Sequence, residues 1–231
     1  MTAAEGRRGR PPRLTRGMVA QAVLETGFPR LTFAAVRERL GVGESTLFRY
    51  APDRDELVRL GLGLVIGSIA WPELEGTWRE VLARYAHCAW WGYESHPGSA
   101  TEVSRGIIPS EGIRILDDVC VHLMDCGFTA QEAVLSCDLV FDLVVDSRRG
   151  VEHLDGLLGD DGSRRAEIKE VWGSEAETGW DACHRAVAEA RRAAVGVAPF
   201  EWFRRKLEVL LDGLSVTIGH NSDNLPVERP E

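Results

Sequence analysis

No apolar run in these 231 residues approaches the ~20 needed to cross a bilayer, so no membrane partner is expected. The opening stretch, with RRGRPPR at 7–13, has no apolar segment of the kind a secretion signal carries, which predicts a cytoplasmic location. Glycine-rich phosphate loops, strand-borne nucleophiles and metal-hydrolase motifs are missing too, leaving a helical enzyme as the alternative from another functional class. Cysteine is sparse: Cys88, Cys120, Cys126, Cys137 and Cys183 are an odd number, widely spaced within apolar helical patterns, as reduced thiols would be. The neighbours His87–Cys88, Cys120–His122 and Cys183–His184 lack the short paired spacing of a zinc site. Metal or redox sensing is therefore an alternative only, and no metal or cofactor is expected. There is no alternating strand pattern, internal repeat or low-complexity tract.

What is present is a 44% hydrophobic chain, enough for one large helical domain or a small domain joined to a larger one. The net charge of −9, taken whole, disfavours nucleic acid, because a uniformly acidic surface repels a polyanion. The charge is not uniform. Residues 1–60 hold eleven arginines against seven acidic residues, a net of +4, and the remainder holds 16 basic against 29 acidic residues, a net of −13. A basic head on an acidic body fits a protein that meets nucleic acid at one end.

Residues 1–14 are rich in Gly, Pro and Arg and predict a disordered basic arm. Helical spacing begins near Thr15 with Val19, Ala22 and Val23, and Gly27 and Pro29 stop it. Thr32 reads as the N-cap of a second helix whose inward face is Val36 and Leu40, ended by Gly41. A tight turn follows, and Ser45 to Tyr50 resumes the helical pattern. Asp53, with Glu56 three residues on, resembles a capping box at the start of a linking helix that carries Leu57, Leu60 and Leu64 and runs to about Trp71, before Pro72. Further helical patterns cover 76–95, 110–126, 130–147, 164–194 and 200–219. The expected fold is all-α: a three-helix helix-turn-helix domain over 15–60, a helical ligand-binding and dimerisation domain over 61–220, and a disordered tail over 221–231.

An α-helix fits the major groove, so a DNA reader needs one short helix presented outward and a second bracing it. On helical count Glu44, Ser45, Thr46, Arg49 and Tyr50 face out, while Leu47 turns in towards Val36, Leu40 and Val42. The alternative is a helical hairpin with no partner; the basic bias and the arm favour double-stranded DNA. Within the arm, Arg8-Gly9-Arg10-Pro11 matches the RGRP core of AT-hook segments, whose arginines enter a narrow minor groove. A merely solvated basic tail is the other reading.

The segment from Leu31-Thr32 to Leu40-Gly41-Val42, then Ser45-Thr46-Leu47-Phe48-Arg49-Tyr50 and Pro52-Asp53-Arg54-Asp55-Glu56-Leu57, resembles the DNA-binding signature of the tetracycline-repressor (TetR) family. The resemblance implies a homodimer that binds a palindromic operator and is released by a small-molecule effector, as a transcriptional repressor. It assigns phosphate-clamping and base-reading roles to Thr32, Ser45, Thr46, Phe48, Tyr50 and Arg54. Phe48 stands where the family usually has tyrosine, Arg54 where it has lysine and Ala51 where it has phenylalanine.

The body resembles the tetracycline-repressor C-terminal domain in Pro72 to Trp78 (PELEGTW), Cys126-Gly127-Phe128 and Phe203 to Leu214 (FRRKLEVLLDGL). By that resemblance, 130–147 and 200–219 pack against their symmetry mates as a four-helix bundle, with Phe203, Leu207, Leu210 and Leu214 at the dimer interface. An intramolecular core would serve that stripe equally well. Near Glu102 to Ser104 and Val65 to Gly67 the family's tetracycline-binding histidines are absent, which argues against tetracycline with magnesium. A pocket between 76–95, 110–126 and 130–147 would be lined by some of Trp90, Trp91, Met124, Cys137 and Phe141, favouring a small apolar or aromatic effector. Asp138, Asp142 and Asp146 fall on one helical face, as a solvated stripe, as partners of Arg148 or Arg149, or as a cation site.

Overall fold

A computed structural model describes residues 14–157, 164–174 and 179–221, without the side chains of 217–221. Arg8, Arg10 and the residues after 221 therefore lie outside the described residues. Among those described there are eleven α-helices, one 3-10 turn (Phe28–Arg30) and no strand. The head holds α1 (Arg16–Thr26), α2 (Phe33–Leu40), α3 (Glu44–Phe48) and the start of α4 (Arg54–Ser68). The body holds α5 (Trp78–Glu94), α6 (Ser99–Ser104), α7 (Ser110–Asp125), α8 (Ala130–Leu154), α9 (Arg165–Trp172), α10 (Ala182–Val195) and α11 (Pro199–Asn221).

Local chemistry sets most of these boundaries. Thr15, Thr32 and Asp53 each accept a hydrogen bond from a backbone N–H three residues on, and Thr77 and Thr129 form full capping boxes with Glu80 and Glu132. Glu56 does not close the box expected with Asp53; its carboxylate pairs with Arg16 and with Arg59. The linking helix stops at Ser68, short of Trp71, because Ile69 turns extended and the Trp71 indole donates to the Ile66 carbonyl at 3.0 Å. The helical pattern at 164–194 is two helices: α9 closes at Gly173, Gly179 lies at φ +96°, and Asp181 caps α10. In the other direction, α8 runs on to Leu154.

Two cores result. In the head, Val19, Val23, Phe28, Val36, Leu47, Ala51, Leu57 and Leu62 close on one another, and Ile107, from the chain after α6, joins them. Helices α1 and α4 approach so closely that a Cβ at Gly61 would lie 2.5 Å from Val23 Cγ1. The body core gathers α5, α7, α8 and α11 around Leu82, Trp90, Leu123, Val140, Val144, Phe203 and Leu207. Val103, on α6, packs against both cores.

Candidate nucleic-acid interface and effector cavity

The head presents α3 as a five-residue helix on a tight turn. Gly41 adopts the left-handed conformation (φ +63°) and donates its N–H to the carbonyls of Arg37 and Glu38, ending α2; Gly43 then opens α3. Leu47 is fully buried, and Glu44, Ser45 and Arg49 are exposed at the opposite side. Thr46 is half-buried. Phe48 is 44% exposed but its ring stacks on Phe33 at 5.1 Å, so it braces α3 against α2. The Thr32 hydroxyl accepts from Ala35 N at 3.1 Å, which leaves its own proton free to donate outward. Exposed Arg37 and Glu44 pair at 3.5 Å across the turn.

Two residues expected to contact DNA are turned elsewhere. Tyr50 is half-buried and its hydroxyl donates to the Leu14 carbonyl at 2.6 Å, tying Leu14 to the head. Arg54 lies against the body: its guanidinium donates to both oxygens of Glu102 on α6, at 2.6 and 3.1 Å. The cause is Glu102 itself, a carboxylate 5% exposed that requires a cation; Arg105 adds a third contact at 3.3 Å. The hydrogen bond to Glu102 raises the Arg54 pKa further above its ordinary value.

Helix α6, which lies in a stretch where the sequence showed no helical pattern, is thus held at both ends. Gly98 opens it at φ +89°, seated against Phe28 of the head so closely that a Cβ would fall 2.9 Å from the Phe28 Cβ. Buried Glu152 of α8 accepts from the Thr101 hydroxyl at 3.0 Å, while its other carboxylate oxygen is buried with no hydrogen-bond partner. Burial nonetheless pushes the Glu152 carboxyl above its ordinary range. One turn earlier on α8, buried Arg148 donates to Glu94 at 3.0 Å and lies over the Trp90 ring, 4.8 Å from its centre.

Beside α6, the helices α4, α5, α7 and α8 enclose a cavity of about 140 Å³. Trp71, Tyr93, Val103, Ile113, Leu116 and Phe141 are among its walls, and Asp138 and Asp142 stand in it. Burial, then the charges of Asp138 and Asp146, push the Asp142 carboxyl up. Of the five predicted pocket residues, only Phe141 lines this cavity. Trp90 and Trp91, adjacent on α5 and so about 100° apart around it, face different spaces: Trp90 a separate cavity and Trp91 a shallow groove with Cys88 and His96. Met124 is exposed near the end of α7, and Cys137 is buried with its sulfur 3.6 Å from Cys120. Val103 and Tyr93 carried no signal in the sequence, since only the fold brings α6 over α5 and α8.

No protein-family model and no curated protein matches the chain. Among solved structures, the chain superposes on apo ActR from Streptomyces coelicolor with a TM-score of 0.74 at 18% identity, covering 90% of this chain and 99% of that one. ActR in complex with actinorhodin gives 0.75 at 18% identity over the same shares. A TetR variant from Acinetobacter baumannii AYE, in complex with minocycline, gives 0.63 at 18% identity, covering 89% and 99%. The fold is that of the TetR-family regulators.

Within this TetR-type fold, the stripe assigned to a dimer interface lies differently. Phe203, Leu207 and Leu214 are buried inside the protomer, and Leu210 is half-buried at its edge. The reason is the body core: Phe203 stacks on Trp90 at 4.7 Å, and Leu207 and Leu214 join the same buried cluster. What α8 and α11 leave outward is Val134, Leu135, Leu139, Trp202, Val209 and Val216, all more than a third exposed, along an apolar groove. Arg149 pairs with Asp146 at 2.6 Å, so that acidic residue has a surface partner. No group of three or more His, Cys, Asp or Glu side chains among the described residues could hold a metal ion. Burial pushes the Cys137 thiol far up, away from the reactive thiolate. No described helix is long and apolar enough to cross a membrane.

Proposed function

We propose that the chain is a ligand-responsive transcriptional regulator, a repressor that binds a palindromic operator as a homodimer and leaves it when a small molecule occupies the body. The observation that carries this is α3: its apolar side completes the head core, while Ser45 and Arg49 are left to a partner beside the exposed Arg37–Glu44 pair. Thr32 and Thr46 flank that surface, and Arg8 and Arg10 of the arm add a minor-groove contact. The outward faces of α8 and α11 supply the dimer contact, since an apolar stripe of that length on a monomer calls for cover.

The cavity beside α6 is the effector site in this reading. An effector there touches Val103, one residue from Glu102, which grips Arg54 at the head's edge. A shift of α6 therefore reaches the head through a charged pair rather than through loose packing. The walls suit a small apolar or aromatic molecule, and Asp138 and Asp142 favour one with a hydrogen-bond donor or positive charge. Ligand complexes of two similar folds, with actinorhodin and with minocycline, support ligand response at the level of the fold.

The test is selection of genomic fragments by the purified protein, then anisotropy on the recovered duplex. Arg49→Ala and Ser45→Ala should each weaken binding by about 1–3 kcal/mol with the oligomeric state unchanged. Undiminished affinity in both variants would remove α3 as the reading surface.

A further inference from the structure

We propose that a second cavity, an open cleft between α8, α9, the end of α10 and the start of α11, binds a planar aromatic monocarboxylate. It measures about 300 Å³, at the lower end of small-molecule clefts, which run to ~1,000 Å³. Flat rings dominate its walls: Trp90, Trp172, Trp202 and Phe203. Three of the chain's seven tryptophans thus meet at one space, an arrangement suited to a flat apolar body.

The polar groups of the wall specify the charge of the guest. The Trp90 indole N–H and the Ser147 hydroxyl are both buried with no hydrogen-bond partner. Trp90 itself is 1% exposed, so water does not substitute freely for the missing acceptor. Lys169 and Lys206, the only lysines in the sequence, both line this cavity, and neither has an ion-pair partner among the described residues. The remaining charges of the wall are matched: Arg165 pairs with Asp155 and Asp146 with Arg149. Donors without acceptors beside cations without anions fit a carboxylate, whose oxygens accept charge-assisted hydrogen bonds.

The site is separate from the cavity beside α6. The two share no residue: Phe141, Asp142 and Val145 of α8 serve one, and Ser147, Gly150 and Val151 serve the other. Their charges are also opposite, two aspartates against two lysines. The inference stands whether or not the head binds DNA.

The probe is 2-naphthylacetate, with its neutral amide as the control, titrated into the full-length protein by equilibrium dialysis and by quenching of tryptophan fluorescence. One saturable site per chain is expected for the acid, with the amide binding about tenfold or more weakly. Gly150→Leu fills the cavity, and a Cβ there meets no atom within 4 Å, so the variant keeps its fold and loses about tenfold or more in affinity. Lys169→Gln with Lys206→Gln weakens the acid by about tenfold and leaves the amide unchanged. Gly112→Leu, which projects into the other cavity through ordinary contacts, leaves acid binding within about twofold. Absence of saturable binding, equal affinity for acid and amide, or loss in Gly112→Leu with none in Gly150→Leu would each overturn the assignment.

Discussion

Head and body use charge in opposite ways. In the head, Arg39–Glu25 and Arg37–Glu44 pair at the surface, where water screens them and each is worth little. In the body, Glu102, Arg148 and Glu152 are almost wholly buried, and two of the three hold α6 in place. A surface pair can be lost without consequence for the fold, whereas a buried charge that loses its partner is left in a medium that cannot solvate it. The head is thereby free to vary its outer residues, and the body is tied to one arrangement of α6.

The sharpest way to break this contrast lies in the body core. Phe203→Ala should cost about 3–5 kcal/mol in urea unfolding, because Phe203 fills the space between Trp90 and α8; a fully stable monomer instead would return Phe203 to a dimer interface. Charges on the outward face should act differently. Leu139→Glu with Val209→Glu should give folded monomers by sedimentation, unfolding within about 0.5 kcal/mol of the parent protomer, with DNA affinity reduced about a hundredfold. Persistent dimers would place the contact elsewhere.

Smaller effects sharpen the comparison at α6. Glu102→Ala strands a partly exposed Arg54 and should cost about 1–3 kcal/mol, while Arg37→Ala, across the exposed turn, should change stability by less than about 0.5 kcal/mol. Equal losses would erase the distinction between buried and surface pairs. Glu152 gives a pH signature. Its folded pKa is raised by burial, so its contribution is most favourable below the ordinary glutamate range and declines as pH rises through the folded value. Glu152→Gln removes that decline, and its stability relative to the parent should improve steadily with pH; parallel profiles would show that the carboxyl titrates as in the unfolded chain.

Much of the head was legible in the sequence because its determinants are local. Thr15, Gly27, Thr32, Gly41 and Asp53 fix helix ends through bonds to residues three or four away, and Leu47 could face only inward on a helix so short. Ser45 and Arg49 then follow as outward residues. Tyr50 and Arg54 broke the pattern because their partners, Leu14 and Glu102, stand 36 and 48 residues away. The body was legible as helices and not as a site. The five residues proposed for one pocket went to separate places, since periodicity gives the direction of a side chain on its own helix and says nothing of which helix covers it.

By itself the sequence determined an all-α chain with a basic helix-turn-helix head, because caps, turn glycines and apolar spacing act over a few residues. Tertiary structure alone decided that Arg54 grips Glu102, that Phe203 belongs to the protomer's core, and that Lys169 and Lys206 meet at one cavity. Each of those depends on helices distant in sequence arriving at the same place, and the energy that brings them there is spread over both cores rather than written in any one segment.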